Sequence, residues 1–440
     1  MTQPSLPAGY NFLHSLVRTY KQVKNPIGTM QESMARFQGT YAVNLGMMRL
    51  IATQDPGLIE HVLKTNHRNY FKSPIQTDHL GRFLGKGLLT SNGDYWLKQR
   101  RLIQPGFHVE KIHALYAIMK DTVDRFLDTF PTGPGVDVYP QMYRLAFDIV
   151  INTLFNVDVP QDKRQQLSNF INDVQEFVIK DVRQPYNRWW FRLSGELNVN
   201  LKRAEGARDI IRFLIRQRKE SGKKYNDLLD MLLDARYEDT GEPMAEDQVI
   251  DEILIVLIAG HETTANALSW TLHLLAHHPQ ELKRVQQATA GLSVNESVKD
   301  GSLTCLIQES MRLYPPAWIS DRVALEDDVY ENMLIPKGTV VLVFYYGMHR
   351  DEKLWDDPLA FRPARFLGEV DKGRKKIYYP FGAGPRLCIG NNFAMAEMTI
   401  FLQAFLKRFD VKSGGVTPVV KPLVTLRPDR VVLEVTPQII

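Results

Sequence analysis

Between Asp94 and about Gln287 apolar residues return every three or four positions, the period at which one stripe of an α-helix turns inward. The spacing predicts helices that include residues 112–129 and 204–219. Ahead of this region, residues 41–53 form two short apolar, β-branched runs around Gly46, a hairpin pattern, and a helix is expected near residues 56–64. Residues 323–344 change to strand-like patterning around the turn residues Pro336, Lys337 and Gly338. A last helix is expected over roughly Asn391–Arg408, with short strands from Val411 onward. Pro131, Gly133, Pro134 and Gly135 mark one loop and residues 241–243 another. No Ser/Gly linker, repeat or low-complexity tract divides the chain. The expectation is one mainly helical domain with small β-sheets, residues 1–40 forming an N-terminal segment and 41–440 a motif-bearing core.

Composition narrows the class. Of 440 residues, 44% are hydrophobic and 24% charged, as in an ordinary globular protein with a substantial core. The formal net charge of +4 gives no reason to expect nucleic-acid binding. Two cysteines, Cys305 and Cys388, exclude a disulfide framework, a four-cysteine zinc site and a cysteine-ligated iron–sulfur cluster. They point to a reducing compartment. The N-terminal stretch lacks the continuous apolar core of a signal peptide. The longest apolar runs, residues 253–259 and 340–346, fall far short of the ~18 residues of a membrane span. A cytoplasmic protein with no membrane span is expected.

Four groupings carry chemistry. Phe381-Gly-Ala-Gly-Pro-Arg-Leu-Cys-Ile-Gly390 presents a cysteine from a glycine-rich loop just before an apolar helix. Gly382, Gly384 and Gly390 permit close backbone approaches. A helix N-terminus and nearby Arg386 favour a thiolate, the donor a soft or borderline metal or haem iron accepts. A buried free cysteine is the other reading of the same residues. Ala259-Gly-His-Glu-Thr-Thr264 sets a mid-helix glycine and two threonines, which can bond back to i−4 carbonyls, beside an acid. Such an acid–alcohol pair can deliver protons; alone it also reads as an irregular core helix. The zinc-protease pattern His-Glu-x-x-His fails at Ala265, and His273 with His277 lacks a third ligand. Glu309-x-x-Arg312 places two opposite charges on adjacent turns. Trp96-x-x-x-Arg100 places two pure donors on one helix face, suited to a carboxylate.

The run Phe-x-x-Gly-x-Arg-x-Cys-x-Gly is similar to the haem-binding signature of the cytochrome P450 family, and the other groupings follow in that family's order. The resemblance implies the P450 fold, with haem between the long central helix and the helix after the cysteine loop. It implies haem b with Cys388 as its axial thiolate, Arg386 on a propionate, and Phe381, Gly382 and Gly390 around the cofactor. Trp96, Arg100 and Arg322 resemble further propionate-binding positions. Ala259 and Gly260 would leave room for ligand, Thr263 would meet bound dioxygen and Glu262 would relay protons. Glu309 and Arg312, joined by Arg365 of Phe361-Arg-Pro-Ala-Arg-Phe366, would form a buried ionic network; the family often has Glu where Ala364 stands. Residues 70–90, Ile255, Ile258, Ala317, Trp318, Ile319 and Thr425 would face substrate. They are mainly apolar and imply a hydrophobic or amphipathic one. The aromatic stretch 186–191 would lie over an access channel.

The activity so implied is a monooxygenase inserting one atom of dioxygen into an organic substrate. A peroxide-driven peroxygenase and a non-catalytic haem or hydrophobic-ligand carrier stand beside it; Glu262 and Thr263 argue against both. The chain has no Gly-x-Gly-x-x-Gly loop and runs only a short way past Cys388, so electrons are expected from outside. A ferredoxin or flavodoxin with a reductase fed by NAD(P)H is implied. It would dock on Lys372, Arg374, Lys375, Lys376, Lys98 and Arg101 of a monomer.

Overall fold

The computed structural model describes residues 3–46, 48–156, 159–368 and 376–438. The chain forms two compact units, one of Met1–Ser73 with Gln308–Cys388, the other of Pro74–Ile307 with Ile389–Ile440.

The first unit holds a six-stranded sheet. Thr40–Leu45 and Met48–Thr53 pair as the antiparallel hairpin the sequence pattern predicts, Tyr41 opposite Ala52, turning at Gly46 with φ +78°. Met48–Thr53 continues in parallel register with Val340–Val343, and Val340–Val343 pairs antiparallel with Ser320–Ala324. Alternation then decides the core: Val341 and Val343 are buried while Val340 and Leu342 are only half-buried. Against this face pack Leu58, Ile59, Val62 and Leu63 from the helix Pro56–Glu60 and its wider continuation His61–Thr65. That helix starts where Asp55 accepts the Leu58 N–H at 2.7 Å. Residues 1–40 contribute two helices, α1 (Phe12–Lys24) and α2 (Pro26–Arg36).

The second unit is mostly helical. In chain order it includes α3 (Gly93–Ile103), α4 (Tyr116–Asp128), α5 (Val138–Phe155), α6 (Gln161–Arg183), α7 (Glu196–Ser221) and α8 (Glu246–His277). The helix α9 (Ser302–Leu313) runs from this unit into the first, and α10 (Asn391–Arg408) follows the cysteine loop. The 32-residue α8 is buried over most of its length and packs on α5. At the crossing, a Cβ on Gly260 would stand 3.3 Å from Val150 Cγ2, so the missing side chain lets the two helices close.

Two expectations change. The helix expected over 112–129 is two, Val109–Ala114 and Tyr116–Asp128, broken at Leu115, whose N–H bonds to Ile112 O. Leu115 is fully buried, so the apolar period continues through the break and hides it. The Pro/Gly loop after Pro131 is in part a strand, Gly133–Asp137, paired with Val432–Pro437. Pro134 lacks an N–H but is tolerated because this strand lies at the sheet edge, beside a register shift at Leu433/Val435.

Candidate functional site

In the first unit the cysteine loop folds on itself. The Cys388 N–H donates to Phe381 O at 3.0 Å and the Leu387 N–H to Gly384 O at 3.0 Å, closing a tight turn over Gly384–Arg386. Gly382 and Gly384 take φ of +73° and +68°, and a Cβ on Gly384 would fall 1.9 Å from Leu63 O. Only glycine serves at 384, because both its dihedral and its neighbour exclude a side chain. The loop leaves the Cys388 thiol exposed. The Arg386 guanidinium lies over the Phe71 ring at 5.7 Å. Burial, then the nearby Arg322 cation, push the Arg386 pKa down to about 10. Arg322 is half-buried on the strand Ser320–Ala324.

Beneath the loop sits an ionic cluster. Glu309 and Arg312 are fully buried and bond twice, at 2.8 Å each. Glu309 Oε1 also accepts the Arg362 N–H at 2.9 Å and meets Arg365 Nε at 3.2 Å. The remaining Arg312 donors go to the carbonyls of His349, Pro358 and Ala360. Thus one guanidinium fastens α9 to the segment that leads toward the loop. His349, which sequence reasoning leaves unassigned, extends the cluster: its Nε2 accepts the Tyr379 N–H at 3.1 Å. Burial, and the Arg312 and Arg350 cations, hold its pKa down at about 3, so the ring is neutral.

In the second unit α8 opens on one side. Val256, Ala259, Gly260 and Thr263 are exposed or half-buried, while their neighbours on the helix are buried. Their spacing of three and four is a single stripe. Thr263 Oγ1 donates to Ala259 O at 2.7 Å. Glu262, turned the other way, is 2% exposed. Burial raises its pKa, against the pull of Thr425, Arg427 and Gln175. Its Oε2 has no hydrogen-bond partner among the described residues. Thr425 itself accepts from Asn266 Nδ2 at 2.8 Å, tying the hairpin Val420–Pro428 to α8. On α10, Glu397 is fully buried, and burial raises its pKa well above the usual range against the pull of the Thr264 hydroxyl.

The other sequence candidates sit as follows. Trp96 is buried and Arg100 half-buried on α3, with Arg100 Nε on Gln104 Oε1 at 3.0 Å. Ile255 and Ile258 are buried beside the open stripe; sequence reasoning selected them and passed over Val256, which lies on it. Only the burial phase of the helix separates these positions. Trp318 is buried against Phe344, and Ala317 and Ile319 are half-buried. Tyr70 is not open to a ligand: its hydroxyl donates to Asp328 Oδ2 at 2.6 Å, beside His61 and Asn66. Lys376 pairs with Glu60 at 3.3 Å and Lys98 with Asp239 at 2.6 Å, whereas Lys372, Arg374 and Lys375 lie outside the described residues. The His273 and His277 rings lie tilted with centroids 4.4 Å apart, and no group of three metal-ligating side chains occurs among the described residues. No described helix is long and apolar enough to cross a membrane.

The cysteine loop braced by glycines, the buried Glu–Arg–Arg cluster and the long helix with adjacent acid and alcohol are the features the family resemblance singled out. The cytochrome P450 family model matches residues 4–435, and the chain belongs to the cytochrome P450 family. It is similar to cyclooctat-9-en-7-ol 5-monooxygenase of Streptomyces melanosporofaciens, 31% identical, covering 84% of this chain and 82% of the relative. Pentalenene oxygenase of Streptomyces avermitilis is 27% identical over 89% of this chain and 88% of its own. The plant 11-oxo-beta-amyrin 30-oxidase of Glycyrrhiza uralensis is 30% identical, covering 85% and 76%. In fold, the chain matches the cytochrome P450DA heme domain with a TM-score of 0.86, over 100% of this chain and 98% of that one, at 22% identity. This protein is a P450 monooxygenase, of a family that uses a haem-thiolate cofactor, dioxygen and redox partners.

The residues present fit a haem. The exposed thiol of Cys388 is a soft donor in a loop that glycines keep clear. Arg386 carries its charge against burial and the Arg322 cation, a cost that a propionate would relieve.

Proposed function

We propose that Cys388 would hold the haem iron through its thiolate and that Glu262 and Thr263 handle protons for the oxidation of a hydrophobic substrate. When bound, haem supplies the iron at which dioxygen is activated, and a thiolate donor favours O–O cleavage. By the family resemblance, Arg386, Arg322, Trp96 and Arg100 would hold propionates, and the Phe381–Gly390 loop would present the sulfur. The open stripe of α8 leaves room beside Ala259, while the bare Gly260 lets α5 approach. Glu262 carries its proton closer to neutral pH than an exposed carboxyl does, because burial disfavours its charge. The Thr263 hydroxyl, now donating to Ala259 O, can rotate to pass a proton on.

The observation that carries this reading is the acid–alcohol pair: Glu262 buried and Thr263 on the open stripe of the same helix. A carrier has no need of such a pair, and a peroxide-driven enzyme receives its protons with the oxidant. The relatives named for cyclooctat-9-en-7-ol and pentalenene, with the apolar Val256 and Ala259 on the open stripe, support a hydrophobic substrate. Electrons come from a separate ferredoxin- or flavodoxin-type donor.

The test is spectroscopic and catalytic together. The ferrous–CO adduct is expected to show the red-shifted Soret band of thiolate ligation, lost in Cys388→Ser and kept in Cys305→Ser. Turnover is expected with a ferredoxin chain and not with peroxide alone. Retention of the band in Cys388→Ser refutes the ligand; equal turnover with peroxide refutes the proton role.

A further inference from the structure

Helix α1 turns Ser15 and Arg18 inward. Ser15 is fully buried, its Oγ donating to Tyr10 O at 3.2 Å and accepting the Asn44 N–H at 3.3 Å. Arg18 reaches the same way: Nη1 lies 2.8 Å from Glu32 Oε2, and Nη2 donates to Thr29 O and Ser33 Oγ of α2. The outward side is apolar. Phe12 is 50% exposed, Leu13 72%, Val17 58% and Tyr20 63%. Leu13, Val17, Tyr20 and Lys24 fall within roughly 60° of one another around the helix axis. Lys24 Nζ stands 4.7 Å over the Tyr20 ring. In a water-soluble setting this arrangement is reversed from the ordinary one, in which the apolar stripe faces the core.

Charge decides what covers the face. Residues 3–31 hold Arg18, Lys21 and Lys24 and no Asp or Glu. Arg18 takes Glu32, leaving Lys21 and Lys24, both in the last turn, without an ion pair among the described residues. Apolar side chains with aromatic Tyr20 at their edge and unpaired lysines beside them match a lipid surface bearing negative headgroups. A second copy fits poorly. A helix of 13 residues is about 20 Å long, so its outward face offers on the order of 200 Å², against about 800 Å² per partner in a stable interface.

We propose that α1 is an interfacial helix that seats this P450 on an anionic membrane surface, without crossing it. Leu13, Val17 and Tyr20 enter the boundary between headgroups and acyl chains, and Lys21 and Lys24 lie among the phosphates.

The experiment is sedimentation of the full-length holoprotein with vesicles of phosphatidylcholine alone or mixed with phosphatidylglycerol. Val17→Trp serves as a local fluorescence probe. The protein is expected to pellet with the anionic vesicles, less so at high salt, and the emission of the introduced indole to shift to the blue. Lys21→Gln/Lys24→Gln is expected to weaken partitioning about 25-fold, from roughly fivefold per charge near an anionic surface. Leu13→Ser/Val17→Ser is expected to abolish it while keeping the wild-type haem absorbance, since both side chains are exposed. Failure of the wild type to pellet, or undiminished binding by either double variant, overturns the proposal. So does a lipid-independent dimer that Leu13→Ser/Val17→Ser dissolves, which would make the face a contact between copies.

Discussion

Glu262 and Thr263 are neighbours on one helix but face different surroundings, and that difference sets what each can do. The acid is buried and holds its proton more tightly than an exposed glutamate; the alcohol sits on the open stripe. Thr263→Ala is expected to keep haem and electron consumption but to divert electrons to peroxide, with product formation down by about 10²–10⁴, the usual contribution of a proton-transfer group. Peroxide and product measured per electron decide it; unchanged coupling refutes the role. For Glu262 the sign follows from the raised pKa. Its proton is present at low pH and lost as pH rises through the folded pKa, so coupled turnover is expected to fall on the alkaline side. In Glu262→Gln that limb should vanish, and a pH profile of coupling checks it.

At the scale of elements, what positions the cysteine loop is a set of joints between strands, turns and helices. Glu309 and Arg312 are both fully buried, and removing one leaves the other's charge unpaired in the interior. Glu309→Ala or Arg312→Ala is expected to cost about 3–5 kcal/mol and to lower haem content. An exposed pair would cost about 1 kcal/mol or less, so thermal melts discriminate clearly. Gly384→Ala tests the other joint. It meets Leu63 O as well as an unfavourable dihedral, whereas Gly338→Ala, at φ +78° with nothing within 4 Å, meets only the dihedral. Backbone strain of about 1–3 kcal/mol is expected for the second and a larger loss for the first. These joints were legible in part. Glu309, Arg312 and Arg365 carry a recognisable spacing, but nothing local marks His349 or the carbonyls at 349, 358 and 360, which Arg312 gathers from more than thirty positions away.

The whole molecule buries more titratable groups than its chemistry needs, and its acid stability should record this. His261 meets Tyr143 edge to face with ring centroids 3.9 Å apart and is held neutral by burial, its pKa down at about 3, like that of His349. In the unfolded chain each takes a proton near pH ~6.5. Their depressed folded pKa values therefore add stability above that pH, lost progressively as pH falls from about 6.5 toward 3. Denaturant midpoints across this window are expected to fall with pH. His349→Gln should start less stable at neutral pH and show a shallower acid slope; an unchanged slope would show that His349 does not govern it.

What the sequence determined by itself was everything short-ranged. Hydrophobic period located the hairpin around Gly46 and the helix Asn391–Arg408, since each is decided by neighbours a few positions away. Motif spacing singled out Cys388, Arg386, Glu262, Thr263, Glu309 and Arg312, because loops and helices put fixed offsets side by side. The tertiary structure alone decided which face of each helix is open. It left Val256 half-buried while burying Ile255 and Ile258 on α8, and turned Ser15 and Arg18 of α1 inward. It also made Gly133–Asp137 a strand, through pairing with residues near the other end of the chain. Burial and pairing across hundreds of positions depend on what packs against a segment, and no local pattern encodes that partner.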